Sequence, residues 1–419
     1  MVNAAEPMPA SNLPPRRIPP VLDHSVADLP VPATDRSARR RRRPLRFLLD
    51  AAGWSFGLVS LIALLAVVAT IPILQFASLG YLFEVSGRIV RSGRLRDGFI
   101  GIRKAGRLGG IVLGTVILLL PIRLVASLWY SARLIAPHAT NTDLWGVALW
   151  GVSLAMTGQI LWAWYRGGKL RHFFWPAPVR FWRFLWERGK WAGARDRLWA
   201  FAASFRFGHY FRVGLVGFIG TLVWLVVPVT LLVFTTAAVG DNPEETAGLR
   251  TLQGILGSLS LTVLVLGLPF LQAHFGARRT IRSLGDIAVM WRTWYRAPIA
   301  SALALVLTVA LSIPLYLAKI ELPPQQVAPL VTTIFVLFIL PSRFVQGWAV
   351  ARAERRQPPF KRRRLRLLLT LVMLLPAVAA ALIYTLFVFF SRYTSWYGVW
   401  SLFEQHAFLL PVPFWNWGG

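Results

Sequence analysis

The sequence predicts an all-α integral membrane protein with about eight apolar segments, arranged as helical hairpins with basic amphipathic cytoplasmic linkers. Two observations carry that prediction. The first is composition. Of 419 residues, 56% are hydrophobic and only 15% charged, against about 25% charged in ordinary soluble proteins. The second is where the charge lies. There are 46 Lys+Arg against 17 Asp+Glu, a formal net charge of +29, and the basic residues fall mostly in a few stretches between long apolar runs. This pattern excludes a secreted disulfide scaffold, a largely disordered chain and most soluble enzyme folds. With no cysteine in the chain, thiolate metal sites, a Cys nucleophile and Cys lipidation are excluded as well.

Residues 1–46 make a basic tail. Pro7, Pro9, Pro14, Pro15, Pro19, Pro20, Pro30 and Pro32 lie in a polar stretch without apolar periodicity, so residues 1–38 are expected to be disordered. Residues 39–43 are all arginine, and Arg46 follows just before the first apolar segment. Such a juxtamembrane run acts as a topology signal that touches anionic lipid, in preference to a nucleic-acid patch. A secretory signal peptide fits poorly, because a 46-residue approach to this run does not match a short n-region.

The apolar segments are residues 47–85, 108–129, 144–165, 213–239, 252–275, 298–317, 327–350 and 367–390. All but the first have the length of a single transmembrane helix. Lys+Arg alternates between them: nine in the tail, seven in 86–107, eleven in 166–212, five in 276–297 and eight in 351–366. The intervening loops hold Arg133, Arg250 and Lys319 alone, and the C-terminal tail holds only Arg392. Positive charge marks the cytoplasmic side of short loops. The basic linkers are therefore expected inside and the other loops outside, in an inner-membrane domain spanning 47–390.

Segment 47–85 is in conflict with a single crossing. The tail and the 86–107 linker are both basic, so both belong inside. Pro72 removes a backbone donor and disfavours helix before it. A re-entrant or helical-hairpin segment broken near Pro72 is the favoured reading, although its second arm, 72–85, is short for a span. A long tilted helix with the tail outside is the alternative.

Beyond this segment, each outward helix carries an interior proline: Pro121, Pro228, Pro314 and Pro376. Inward segments carry Pro72, Pro269 and Pro341, and the block beginning at Pro72 and ending at Gln75 resembles that from Pro269 to Gln272. A degenerate hairpin repeat is one reading, and chance is its competitor, since proline is common in membrane helices. The 166–212 linker interleaves basic and aromatic residues. Phe181, Phe184 and Leu185, and again Leu198, Phe201, Ala202 and Phe205, recur at helical spacing. Interfacial amphipathic helices on an anionic leaflet fit this better than single-stranded nucleic acid. The tail 391–419, with Trp396, Trp400, Phe403, Phe408, Phe414, Trp415 and Trp417, is expected to lie on the opposite face of the membrane.

Catalytic groups are scarce. Asp50 and Glu84 are the acids near the apolar segments, His24, His138, His172, His209, His274 and His406 are scattered, and no H-E-x-x-H or phosphate loop occurs. Gly53, Ser55 and Gly57 match G-x-S-x-G, but inside an apolar helical run rather than at a strand–turn–helix elbow. No catalytic residue, metal site or cofactor is expected. Three intramembrane polar residues remain: Arg123, Arg343 and His274. An intramembrane charge is by default a functional candidate. With no acidic partner visible on neighbouring segments, an anionic lipid or ligand is the pointed reading and snorkelling of the arginines the plain one.

Residues 71–85, Ile-Pro-Ile-Leu-Gln-Phe-Ala-Ser-Leu-Gly-Tyr-Leu-Phe-Glu-Val, followed by Arg88, Arg91 and Arg94, resemble the opening motif of an uncharacterised bacterial family of polytopic membrane proteins. In that family an apolar IP…LGYL hairpin leads to an arginine-rich helix. The stretch is more distantly similar to the membrane domain attached to some glycerophosphodiester phosphodiesterases. The likeness covers some 30 residues. It implies an all-helical membrane fold and a hairpin first segment, and it carries over no catalytic residue. The expected function is that of a non-enzymatic multi-pass protein that organises anionic lipid or scaffolds membrane partners, without nucleic acid. The alternative is a transporter of a lipophilic or anionic solute.

Overall fold

The structure is a computed structural model that describes residues 36–71, 73–136, 139–186, 190–235, 243–320, 328–355 and 362–394, together with His406 and Leu409. All secondary structure in the described residues is helical. In order the helices are α1 (Arg36–Thr70), α2 (Gln75–Ser92), α3 (Ile102–Ile135), α4 (Thr140–Tyr165), α5 (Leu170–Phe174), α6 (Pro178–Trp186), α7 (Lys190–Ala203), α8 (Phe207–Phe234), α9 (Pro243–Arg278), α10 (Ile287–Arg296), α11 (Pro298–Ile320), α12 (Ala328–Arg355) and α13 (Arg363–Thr394). Eight stretches, one each in α1, α3, α4, α8, α9, α11, α12 and α13, are long and apolar enough to cross a membrane. The chain is an all-α multi-pass membrane protein. It divides into two compact units, Met1–Ala51 and Ala52–Gly419, and every contact described below lies within the second.

The first apolar segment does break near Pro72, which itself lies outside the described residues. α1 ends at Thr70 and α2 begins at Gln75. Between them Ile73 has φ of 70°, a left-handed conformation that a β-branched side chain rarely adopts. The second arm is longer than the apolar run suggests. α2 continues through Glu84, Arg88 and Arg91 to Ser92, 18 residues or about 27 Å. It is also the most enclosed helix, with 14 of its residues buried.

Glycine explains how α2 gets so deep. A Cβ on Gly80 would overlap the Tyr210 carbonyl, and one on Gly214 would overlap the Phe76 carbonyl, so α2 and α8 cross backbone to backbone. Gly87 and Gly276 make a second such crossing with α9, and Gly347 of α12 lies against Ser86. Small residues at the seam let helix axes approach until dispersion and Cα–H···O contacts become strong, which is how helices associate where water offers no hydrophobic drive. On α8 the glycines continue at Gly217, filled by Phe83 and Phe275, and Gly220, filled by Leu284.

Neighbours fix the helix directions. α2 runs opposite to α8, because Phe76 stacks near Phe218 at one end while Glu84 lies by His209 at the other. It runs with α12: Phe83 faces Arg343, Ser86 faces Gly347, and the Arg91 carbonyl accepts from Arg355. α1 runs with α3, since Gly57 meets Gly106 and Ser60 meets Gly109. The starts of α3 and α8 are adjacent, Lys104 donating to the Ser204 carbonyl at 3.0 Å.

The hydrophobic core is built mainly from α1, α2, α8, α9, α11, α12 and α13, with Ile102 and Ala105 from the start of α3 and Trp294 from α10. The α3–α4 pair is peripheral. Its middle is apolar yet exposed, as at Leu120, Leu124, Trp150 and Leu154, a surface suited to lipid. Prolines 121, 228, 269, 314, 341 and 376 all sit inside continuous helices. The Pro269 block therefore occupies mid-helix while the Pro72 block precedes one, and the two are not equivalent in place. A different likeness does exist. α2 and α9 leave through the same turn: Gly93 and Arg279 are left-handed (φ 71° and 59°), then Arg94 and Thr280 are extended, and a short 3-10 turn follows each.

The α2 crossings predict a sharp contrast among glycines. Gly80→Ala or Gly214→Ala must force two backbones apart and should cost more than about 3 kcal/mol. Gly151→Ala, where an added Cβ meets nothing within 4 Å, should be neutral or slightly stabilising. Thermal unfolding of the purified variants in detergent checks the order.

Candidate functional site

The crossing of α2 with α8 and α9 places Glu84 in the interior, 2% exposed. Its carboxylate accepts from Arg91 Nη2 at 2.6 Å and from Arg279 at two points, Nη2 at 2.7 Å and Nε at 3.1 Å. Arg88 lies 3.5 Å away one turn along α2, and His209 Nε2 lies 3.8 Å away. Arg91 also donates to the carbonyls of Gly276 and Ala277, which are orphan acceptors at the end of α9. The two-point fork of Arg279 is the stronger form of guanidinium–carboxylate pairing. It is aimed by the left-handed backbone at Arg279 itself, a local strain that the pair holds in place.

Glu84, Arg88, Arg279 and His209 stand at one end of a cavity of about 540 Å³. Lys104 and Arg206 also line it. Its other walls are apolar, chiefly Leu61, Leu64, Leu65 and Val68 of α1 and Ala77 of α2. Tyr81 projects into the same space and anchors its edge by donating to the Ile100 carbonyl at 2.9 Å. The cavity thus has a leucine wall and a polar end in which one carboxylate faces several cations.

None of the three sequence-derived candidates lines this cavity, and the fold does not bring them together. Arg123 is exposed on α3. Arg343 is fully buried and does not reach the surface of the protein. Its Nη1 donates to Gln272 Oε1 at 2.6 Å and Gln346 Oε1 at 3.1 Å, and its guanidinium lies 5.0 Å from the Phe83 ring centroid. Gln272 in turn donates to Thr221 Oγ1 and to the Leu409 carbonyl, and Gln346 to Thr308 Oγ1. The network joins α8, α9, α11 and α12 to the C-terminal segment. His274 sits between Asp286 and Glu354, 3.9 and 3.7 Å away. So acidic neighbours do exist for it. They come from the start of α10 and the end of α12, which the order of segments along the chain does not reveal.

Other sequence features take structural places. The G-x-S-x-G match lies inside α1, where Gly57 makes room for Ile102. Among the described residues no group of three or more His, Asp or Glu is placed to hold a metal ion. At its two described positions the C-terminal tail is buried rather than spread on a surface: His406 Nδ1 is 3.2 Å from the Tyr384 hydroxyl, and Leu409 caps Gln272. The aromatic positions of that tail lie outside the described residues, as do the side chains of Phe181, Phe184, Leu185 and Leu198.

Sequence reasoning passed over Glu84 as a site residue. The signal was present, since Glu84, Arg88 and Arg91 share one helical face. Arg279, 195 positions later, was not recoverable. No protein-family model, curated protein or solved structure matches the chain.

The Arg343 network predicts an asymmetry. Gln272→Leu removes an acceptor from a buried cation and a donor from two oxygens, and should cost about 2–3 kcal/mol. Arg343→Met removes the charge with its desolvation penalty and should cost less. Thermal melts in detergent that rank the two variants the other way would contradict the network as drawn.

Proposed function

We propose that this is a non-enzymatic membrane protein that binds an anionic amphiphile in the α1–α2–α8 cavity, and so organises acidic lipid in the cytoplasmic membrane. The observation that carries the reading is the pairing of a leucine wall with a cation-rich end in one space. Burying an acyl chain along Leu61, Leu64 and Leu65 contributes roughly 0.8 kcal/mol per methylene against water, less where a lipid tail already lies in bilayer. Discrimination therefore falls to the head, where Lys104 and Arg206 line the space beyond the carboxylate and Arg88, at 3.5 Å, is the arginine that Glu84 holds most loosely. The likeness of residues 71–94 to the IP…LGYL hairpin family is in keeping with this reading.

A specific observation favours a second reading, that of a transporter for an anionic or lipophilic solute. The helix breaks between Thr70 and Gln75 beside the cavity, and discontinuous helices at depth mark many transporter sites. Flux into proteoliposomes that depends on the solute supports it over lipid organisation.

Two experiments test the proposal. Acidic lipid retained by the purified protein, measured by native mass spectrometry, should fall about tenfold in Arg88→Leu, and should fall also in Leu64→Trp, which fills the cavity. Equal retention in both variants and the parent sinks the reading.

The sidedness belongs to the same proposal. α1 leaves and α2 returns, so the basic tail shares the cytoplasmic face with the linkers. Single cysteines can report this without interference, because the chain has none. In sealed cells an impermeant thiol reagent should spare Ser37→Cys and Gly193→Cys and label Asn242→Cys. Labelling at position 37 together with 242 places the tail outside.

A further inference from the structure

A second site lies apart from the cavity, at the elbow where α4 meets the basic linker. α4 ends at Tyr165, and the chain turns through Gly167 (φ 102°) and Gly168 (φ 67°), where glycine is needed for the left-handed backbone. It then runs through α5 and reverses at Ala177, itself left-handed (φ 47°). Side chains of α4 clamp the returning strand of backbone. Gln159 Nε2 donates to the carbonyls of His172 and Phe173 at 3.1 and 3.0 Å, Trp162 Nε1 to that of Pro176 at 2.6 Å, and Arg166 to that of Trp175. Phe173 is buried and packs over Gly114 of α3, whose Arg107 donates to the Gly167 carbonyl at 2.7 Å. The elbow is thus a built structure rather than a loose loop.

It encloses a cavity of about 440 Å³ lined by Arg166, Arg171, His172, Trp175, Ala177 and Arg180. No carboxylate is among those residues. Three guanidiniums that repel one another are held around one space, which costs stability unless an anion enters. The electrostatics express the same demand. Burial, then Arg180 and Arg171, pull Arg166 below its ordinary value, although an arginine stays charged at neutral pH. Burial, then Arg166 and Arg171, with Lys169 and Arg107 behind them, push His172 down. Its Nδ1 is buried without a hydrogen-bond partner.

We infer that the α4–α5–α6 elbow binds a phosphate group, held by Arg171 and Arg180 with Arg166 and His172 behind it. A single forked guanidinium pairs two-point with carboxylate or phosphate alike, but several of them around one space suit the greater charge and the additional oxygens of phosphate. The group can come from a phospholipid head in the adjoining leaflet or from phosphate in solution. This site does not depend on the α1–α2–α8 cavity.

The test uses the full chain, delipidated in neutral detergent, with inorganic phosphate as one probe and phosphatidic acid in mixed micelles as the other. The double variant Arg171→Gln/Arg180→Gln removes two exposed side chains and should melt with the parent. Its affinity for one probe should fall more than tenfold, on the usual scale for a hydrogen bond to a charged group. Loss with inorganic phosphate alone identifies a soluble phosphate. Loss with phosphatidic acid, uncompeted by inorganic phosphate, identifies a lipid head. The cavity variant Leu64→Trp should bind inorganic phosphate as the parent does, and the double variant made in that background, where the other cavity is filled, should lose the same affinity, which separates this proposal from the other site. Should the double variant fail to fold, Arg180→Gln alone should still weaken binding about tenfold. Parent and variants that bind both probes equally, or not at all, overturn the inference.

Discussion

The architecture depends on one constraint: α2 must touch its neighbours through backbone. At Gly80 with Gly214, and at Gly87 with Gly276, there is no room for a methyl group. Once those two crossings are set, the side chains between them are committed. Phe83 drops into the gap over Gly217, and Glu84 is carried out of reach of solvent. A carboxylate in that position is tolerable only when charge and hydrogen bonds meet it. Arg91 and Arg279 follow as a requirement, and the polar end of the large cavity is their consequence.

The protein handles buried charge in two contrasting ways. Glu84 is met by ions of opposite sign. Arg343 is met by neutral amides, Gln272 and Gln346, and by the face of Phe83. The first arrangement leaves surplus cations beside an open space and lends itself to recognition of something negative. The second spends its donors and acceptors on other parts of the same bundle, and ties four helices and the chain's last described residues into one unit. Intramembrane charge alone therefore did not distinguish the lining of a cavity from a brace. What distinguished them was whether the partners opened onto a cavity.

Much of this was legible from the order of residues, and the limits have physical reasons. Apolar runs located the spanning helices, because a helix's affinity for lipid is a property of its own sequence. The break near Pro72 was legible for the same local reason. The extent of α2 was not: Arg88 and Arg91 made the part beyond residue 85 read as linker, when their pairing with Glu84 lets the helix run on to Ser92. Glycine spacing on α8 was visible, but the identity of the facing helix was not. The likeness of the Pro72 and Pro269 blocks misled, since one precedes a helix and the other lies within one. The shared exit turn of α2 and α9 went unseen because it is written in backbone angles, with Gly93 in one copy and Arg279 in the other.

The distance along the chain between Glu84 and Arg279 has a consequence for biogenesis. A ribosome adding about 5–20 residues per second needs roughly ten to forty seconds to cover the 195 positions between them. For much of that interval α2 lacks the glycine face of α8, and until its end it lacks Gly276 of α9 and the cationic fork of Arg279. It carries an acid and two arginines that hydrocarbon alone does not accept. α2 is among the first helices to be made, yet its pairing is completed by a turn that lies about two-thirds of the way along the chain. Until then it must wait at the membrane's edge or in the care of the insertion machinery, and the bundle closes around it afterwards.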